Sequence, residues 1–182
     1  MAFDDQLHAR KASIAKRWLA EVLRTYDPET AAHLLRERDQ FANPLGHALT
    51  VGTEAVVESL ATGKEPAELA PELEPLLKIR SVQSFTPAQA VGFILLLKDV
   101  TRTELDLDLR DAGVTEWLAK FDARVDQLLL VAFDLYSHHR ERMYEVRVND
   151  IKRRVSGLMR RMGVGLDDLE PGPDVPETAL RR

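Results

Sequence analysis

The sequence predicts an all-α fold, in which a bundle of about five to six helices is followed by a long C-terminal helix that extends beyond the domain. Three observations support this prediction. Apolar residues recur at helical spacing along the 182-residue chain, patterns typical of β-strands are nearly absent, and three helix starts are clearly marked. We expect the bundle at residues 1–140, a basic helical extension with heptad spacing at residues 141–162 and a flexible tail at residues 163–182.

The marked helix starts each combine a capping residue with a following proline: Asp27-Pro28, Asn43-Pro44 and Thr86-Pro87. In each pair, the first side chain can accept a hydrogen bond from a free backbone N–H of the first helical turn. The proline loses no hydrogen bond, because its nitrogen would have had no partner at that position. Gln89 lies three residues after Thr86, and this spacing predicts a capping box.

The first three helices are predicted over about residues 4–25, 28–38 and 44–62. Helix one has a single apolar stripe, which contains Leu7, Ile14, Trp18 and Val22. The third helix faces inward with Leu45, Leu49, Val56 and Leu60. Gly63 is expected to end it, since glycine readily adopts the left-handed conformation found after helix ends.

Prolines at positions 66, 71 and 75 favour short turns over residues 65–79, and KIRSVQSF (78–85) is predicted to be a loop. The next helix is predicted from residue 87 to about residue 109. Its segment VGFILLL (91–97) is apolar on all sides, which indicates the most buried helix of the bundle.

The last helix is predicted to begin at a cap on Thr115 and to end near Met162, which would make it roughly 70 Å long at about 1.5 Å per residue. Its first half has a broad apolar face typical of a bundle core: Leu118, Phe121, Val125, Leu128, Leu129, Ala132, Phe133, Leu135 and Tyr136. Its second half has a narrow apolar stripe with spacings of four, three, four, three and four: Tyr144, Val148, Ile151, Val155, Leu158 and Met162. That is the heptad spacing of a coiled coil.

A narrow stripe suits one partner helix, so we predict a homodimer or a contact with a protein partner through residues 143–162. Arg153 and Arg154 are included in this predicted surface, and Asn149 is expected near it. Upstream, SHHRER (137–142) lies between the two apolar faces. We interpret His138 and His139 as surface residues, because neighbours on a helix point about 100° apart and cannot chelate one metal ion.

Charge is distributed unevenly along the chain. The formal net charge is −5, but residues 140–162 hold eight Lys and Arg against three Asp and Glu. Such a segment could favour an acidic partner, an anionic membrane surface or nucleic acid, and a peripheral contact with a membrane-bound complex is a further hypothesis. No helix-turn-helix pattern is present, and the basic residues do not precede a zipper as they do in basic-region proteins. Specific nucleic-acid binding is therefore not predicted.

Composition also excludes several classes of protein. The absence of cysteine excludes disulfides, thiolate metal sites and a cysteine nucleophile. The N-terminus lacks the pattern of a signal peptide, and residues 91–97 are too few to span a bilayer. A cytoplasmic protein without a transmembrane segment is therefore expected.

No catalytic motif was found: there is no glycine-rich phosphate loop, no HExxH and no GxSxG, and the histidines lack metal-ligand spacing. We predict no enzyme, no metal and no cofactor. An alternative hypothesis is a sensor that binds a small molecule inside the bundle through Asn43, Arg80 and Gln83. A less favoured version is haem bound by His33 or His47, which both lie beside apolar positions.

Three segments together resemble a known family: RDQFANPLGHAL (38–49), IRSVQSFTPAQAVGFILLLK (79–98) and FDARVDQLLLVAFDLYSHHRERMYEVRVNDIKRR (121–154). They are similar to the RsbRD N-terminal domain family, the input modules of RsbT co-antagonists. Those bacterial proteins regulate the stress-response switch that controls an alternative sigma factor. The resemblance covers roughly residues 5–155. It implies an all-helical sensory domain that leads into a long exit helix, with a globin-like arrangement that lacks haem.

The resemblance has one departure. In the full-length regulators, the exit helix leads into a STAS domain that the partner kinase phosphorylates, whereas only about 20 residues follow Met162 here. We therefore expect a stand-alone form without a STAS domain, to which the phosphorylation function is not carried over. The predicted function is regulation or sensing, by self-association or by docking of a partner.

Overall fold

A computed structural model describes residues 3–36, 39, 41–83, 85–107 and 110–162. These residues form seven α-helices and two short 3-10 helices, and none of them lies in a β-strand. The predicted all-α fold is confirmed. The chain divides into two compact units, residues 1–140 and residues 141–182. The tail predicted at residues 163–182 lies outside the described residues.

The first unit contains six helices: α1 (Phe3–Leu23), α2 (Pro28–Arg36), α3 (Pro44–Ala61), α4 (Ala70–Val82), α5 (Pro87–Val91) and α6 (Leu96–Leu105). The two 3-10 helices lie before α4 and between α5 and α6: Pro66–Leu69 and Gly92–Ile94. Helix α7 (Ala112–Met162) has 51 residues, which belong partly to the first unit and partly to the second. Among the described residues, no helix combines the length and the apolar content that crossing a membrane requires.

The three helix starts marked by proline are confirmed. The backbone N–H of Thr30 donates to Asp27 Oδ1 at 2.9 Å, and that of Gly46 donates to Asn43 Oδ1 at 2.8 Å. Thr86 and Gln89 form the predicted capping box, in which each side chain accepts a hydrogen bond from the other residue's backbone N–H. The end of α3 also follows the prediction, because Gly63 has a φ of +80°.

The prediction of short turns over residues 65–79 is wrong, because most of this stretch belongs to α4. Pro71 lies in the first turn, where its nitrogen needs no partner, and only Pro75 removes a hydrogen bond from the helix interior. Three buried leucines of α4 outweigh that loss by packing into the core: Leu73, Leu76 and Leu77. The helix continues to Val82, so Arg80 lies on a helix and not in a loop.

The predicted continuous helix from residue 87 to about residue 109 is interrupted. After α5 the backbone tightens into the 3-10 helix, and α6 ends at Leu105, before Asp106 in the left-handed conformation with a φ of +48°. The segment is not buried on all sides, since Leu95 is exposed. The interruption lets side chains reach backbone carbonyls: Trp18 Nε1 donates to the carbonyl oxygen of Phe93 at 2.9 Å.

Helix α7 begins three residues before the predicted cap. The carboxylate of Asp111 accepts a hydrogen bond of 2.7 Å from the N–H of Gly113, so Asp111 takes the capping role assigned to Thr115. The core face of α7 is largely as predicted, with Val125 and Leu128 fully buried. Phe133 is an exception, because its side chain is exposed.

The core of the first unit is built around Trp18. The predicted stripe of α1 is confirmed, because all four of its residues are buried: Leu7, Ile14, Trp18 and Val22. The Trp18 ring stacks on Phe93 with 5.8 Å between ring centroids, which connects α1 to the interruption between α5 and α6. Ion pairs from Arg102 to Asp122 and from Lys98 to Asp126 connect α6 to α7.

Candidate interaction surface and the buried Arg80 site

The apolar stripe predicted on the second half of α7 lies on the surface. Its side chains are 47–59% exposed, and we call this set the apolar seam: Tyr144, Val148, Ile151, Val155 and Leu158. Fully buried residues occur on the same helix upstream, as at Leu128. Because side chains three and four residues apart lie on the same side of a helix, the seam forms one continuous apolar strip.

The arginines predicted for this surface occupy different sides of the helix. Arg153 is two residues from both Ile151 and Val155, a separation of about 200° around the helix, so it lies opposite the seam. Asn149 likewise lies away from it. Arg154 flanks the seam and forms an ion pair of 2.8 Å with Asp150 of the same helix.

The heptad register assigns Val148 and Val155 to position a, and Tyr144, Ile151 and Leu158 to position d. β-branched residues at a combined with leucine at d favour two-stranded coiled coils. Both a positions of the seam are valine, and one of its three d positions, Leu158, is leucine. The a positions and the narrow width of the seam therefore suit one additional helix.

One flank of the seam is formed entirely by arginine. Position g, which borders the strip on one side, holds Arg147, Arg154 and Arg161, and we call these residues the arginine row. Position e on the other side has mixed character, with Glu145, Lys152 and Met159. Sequence reasoning noted the basic segment but missed this row. The signal that could have found it is the seven-residue spacing of the arginines, which matches the spacing of the apolar stripe.

The SHHRER stretch contains no candidate metal site. His138 is exposed and His139 is partly buried. Across the part of the chain that the structure describes, no group of three or more His, Cys, Asp or Glu side chains is placed to hold a metal ion.

Arg80, a predicted ligand residue, is fully buried at 0% exposure. Its Nε donates to the carbonyl oxygen of Ala90 at 3.0 Å, and its Nη2 donates to the carbonyl oxygen of Gln89 at 3.0 Å. Two side chains in the connection between α1 and α2 accept the other hydrogen bonds, Thr25 Oγ1 at 3.2 Å from Nη2 and Tyr26 Oη at 3.2 Å from Nη1. The guanidinium thus connects α4, α5 and the segment that follows α1.

Aromatic rings surround this buried charge. The Arg80 Cζ lies 4.3 Å from the ring centroid of Phe85, 4.9 Å from that of Phe93 and 5.2 Å from that of Tyr26. Ring faces stabilise a cation electrostatically, which matters here because Arg80 forms no ion pair with a described carboxylate. Burial lowers the pKa of Arg80, and the neighbouring Tyr26 acts in the opposite direction.

The three predicted ligand residues do not form one site. Gln83 joins Arg80 through Tyr26, whose hydroxyl donates to Gln83 Oε1 at 3.3 Å. Asn43 is used elsewhere, since its Nδ2 donates to the carbonyl oxygen of Leu34 at 3.0 Å while its Oδ1 caps α3. The structure therefore brings Arg80 and Gln83 together and leaves Asn43 in the connection between α2 and α3.

Three pockets lie near the predicted ligand and haem residues. The largest of the three, of about 580 Å³, is lined by residues of α2, including His33. A pocket of about 240 Å³ is lined by Thr25, Tyr26, Asp27, Thr30, Gln83 and Phe85. Another of about 310 Å³ is lined by residues of α1, α2 and α3, including His47. The side chains of His33 and His47 are both exposed, so neither imidazole lies in the apolar core.

Comparison with known proteins identifies the family. The family model described as the RsbT co-antagonist protein rsbRD N-terminal domain matches residues 12–151. No curated protein and no solved structure gave a match, so the globin-like arrangement stays a prediction. The matched residues include the buried Arg80, the core face of α7 and part of the apolar seam. The chain belongs to the RsbT co-antagonist rsbRD N-terminal domain family, a family of regulatory input domains.

Proposed function

We propose that this chain is a non-enzymatic regulatory domain that acts by binding a second helix through residues 143–162. The single observation that carries the proposal is the apolar seam, in which five large side chains on one side of a helix are about half exposed. Contiguous exposed apolar strips on soluble domains are typical of interaction sites. Membership of a regulatory input family is consistent with this function.

The expected strength of the contact suits reversible regulation. Burying the exposed half of each seam side chain contributes roughly 1 kcal/mol, half of the value for complete burial of a Val or Leu side chain. Five such side chains on each of two helices contribute about 10 kcal/mol, whereas association costs about 4–15 kcal/mol. The free energy gained by burying the two seams is therefore similar to the cost of association. Charged groups beside the seam can decide whether the contact forms.

The test replaces Ile151 and Val155 by aspartate in the full chain. The matched control is Val146→Asp, which adds a charge at an apolar residue that is 66% exposed and lies on the opposite side of the same helix. Analytical ultracentrifugation reports self-association, and affinity purification from the native cell reports binding of a partner. We expect the double variant to lose the association and the control to keep it, with equal helical content by circular dichroism. Identical behaviour of the parent and the double variant in both measurements would contradict the proposal.

A second candidate function, small-molecule sensing, is supported by the Arg80 site. The buried guanidinium donates a hydrogen bond to Tyr26, and Tyr26 donates one to Gln83. Both Tyr26 and Gln83 line the pocket of about 240 Å³. This volume is below the roughly 300 Å³ of typical ligand sites, so a suitable ligand would be a small polar molecule.

A panel of small polar metabolites tests the sensing function. A ligand should raise the Tm of the parent chain and leave that of Gln83→Ala unchanged. A panel without any such compound would argue against sensing. Haem binding is tested by reconstituting the purified chain with haem and recording its absorption spectrum. The absence of a Soret band would contradict haem binding.

A further inference from the structure

We infer that the helix bound by the apolar seam is an acidic helix of a different protein rather than a second copy of this chain. The inference rests on the proposed function and adds the chemistry of the partner. It is carried by the arginine row, which borders the whole length of the seam on one side. In coiled coils, the charges at positions e and g set the choice of partner.

The arginine row has few acidic partners of its own. All three of its side chains are exposed, and Arg154 pairs with Asp150. Arg147 and Arg161 form no ion pair with any described residue. Carboxylates placed every seven residues on a partner helix would meet all three guanidinium groups, and arginine can bind a carboxylate through two parallel hydrogen bonds.

A second copy of this chain is a poor occupant in either orientation. In an antiparallel pair, position g faces position g, so the arginine row would meet itself. In a parallel pair, position g faces position e five residues further along, so Arg147 would meet Lys152 of the second copy and Arg154 would meet Met159. Like charges placed opposite each other disfavour the wrong partner.

A parallel homodimer would contain one favourable charge pair. Arg140 precedes Arg147 by seven residues and would face Glu145 of the second copy. However, the Arg140 guanidinium already donates to the carbonyl oxygen of Ser81 at 3.2 Å within the first unit. It therefore compensates poorly for the repulsion between Arg147 and Lys152.

An acidic helix also fits the surface better than nucleic acid or a membrane. A phosphate backbone would pair with the arginines but would leave Ile151 and Val155 exposed. Helices that lie on membranes have a wide apolar face with large residues such as tryptophan and phenylalanine, and the seam is narrow and rich in β-branched residues. The combination of a narrow strip and a charged flank is typical of helix pairing.

The test measures binding of synthetic helical peptides to the full chain. The acidic probe has valine at a, leucine at d and glutamate at both e and g, which prevents it from associating with itself. The basic probe is identical except for lysine at e and g. By fluorescence anisotropy, we expect the parent to bind the acidic probe at least tenfold more tightly than the basic probe, and added salt to reduce the difference.

Two triple variants test whether the preference for the acidic probe depends on the heptad positions of the arginines and not on total charge. Arg147, Arg154 and Arg161 are replaced by glutamate in one of them. The control replaces three other exposed arginines of the same helix, which lie away from the seam: Arg142, Arg153 and Arg160. We expect the first variant to reverse the preference between the probes and the control to keep it. An equal effect of the two variants would overturn the inference.

The remaining outcomes separate this inference from the proposed function. If the parent forms a dimer that Ile151→Asp with Val155→Asp abolishes, and the acidic probe does not compete, the inference fails while the proposed function stands. If the chain is monomeric, binds neither probe and retains the same proteins in affinity purification as the Ile151→Asp, Val155→Asp variant, both fail. Binding to a DNA duplex, or to vesicles of phosphatidylserine and phosphatidylcholine, that is tighter than binding to the acidic probe and insensitive to the seam variant would also overturn the inference.

Discussion

The Nε of Arg80 donates a hydrogen bond of 3.0 Å to the carbonyl oxygen of Ala90, at the point where α5 gives way to a 3-10 helix. Gln89, one residue earlier, offers its carbonyl oxygen to the same guanidinium. Carbonyl groups at a helix end carry partial negative charge, so they stabilise a cation. Arg80 therefore acts as an internal cap for an interrupted helix, and its charge is balanced by backbone dipoles and aromatic rings.

Replacing Arg80 by methionine should lower the free energy of unfolding by about 3 kcal/mol, because the buried carbonyl of Ala90 and the partly buried carbonyl of Gln89 lose their donor. Lysine at this position keeps the charge but cannot reach four acceptors at once, so a loss of about 2 kcal/mol is expected. Urea denaturation followed by circular dichroism measures both values. Lys78→Met, an exposed change on the same helix, is the control. A loss below about 1 kcal/mol for Arg80→Met would contradict the capping role.

Stability should fall at alkaline pH because of Tyr26. Burial raises the pKa of this phenol above its ordinary value of 10.0, although Arg80 beside it acts in the opposite direction. A group whose pKa is higher in the folded state contributes stability that is fully present below pH 10. That contribution is lost as the pH rises through the folded-state pKa. Urea midpoints between pH 9 and about pH 11 should therefore decrease in the parent.

Tyr26→Phe provides the control for this pH dependence. The variant lacks the titrating hydroxyl, so its urea midpoint should decrease less steeply over the same range. Parallel pH profiles for the parent and the variant would show that Tyr26 does not cause the effect.

The indole N–H groups of the two tryptophans should contribute differently to the free energy of unfolding. In Trp18→Phe, the buried carbonyl of Phe93 loses a hydrogen bond of 2.9 Å, and we expect a loss of about 1–2 kcal/mol beyond the change in ring size. Trp117→Phe removes a bond of the same length to Asp4, but that bond is exposed and water can replace it. For Trp117→Phe, the loss in the free energy of unfolding beyond the change in ring size should be below about 0.5 kcal/mol. Equal losses in urea denaturation would contradict this difference.

Glycine to alanine substitutions should have opposite effects at two helical positions. A Cβ at Gly52 would lie 2.7 Å from Cγ of Leu76, a fully buried side chain without room to move, so a loss of about 1–3 kcal/mol is expected. At Gly157 a Cβ meets no atom within 4 Å, and alanine should stabilise the helix locally by up to about 1 kcal/mol. Urea denaturation measures the first effect and slower amide hydrogen exchange around residue 157 the second. Stabilisation by Gly52→Ala would contradict the packing described for α3 and α4.

Several elements could be predicted from sequence because their causes are local. The caps at Asp27, Asn43 and Thr86 need only a polar side chain and the backbone N–H groups within the next three residues. Likewise, the stripe of α1 follows from the period of the helix, and so does the heptad spacing of the seam.

Other elements could not be predicted because distant contacts decide them. Pro75 is unfavourable in a helix interior, so the sequence did not predict α4. The burial of the leucines of α4 outweighs the one hydrogen bond that Pro75 removes. Helix α5 stops where Arg80 reaches its carbonyls and Trp18 reaches the carbonyl of Phe93 in the 3-10 helix that follows, and no local signal in VGFILLL indicates those donors.

By itself, the sequence determined the all-α class, the marked helix starts and the spacing of the apolar seam, since each depends on residues within about two helical turns. Only the tertiary structure decided that Arg80 is an internal cap, that α5 and α6 are separate and that the seam side chains remain exposed. The physical reason is that burial and hydrogen bonding are satisfied across the whole fold, so residues far apart in the chain determine which local preferences are kept.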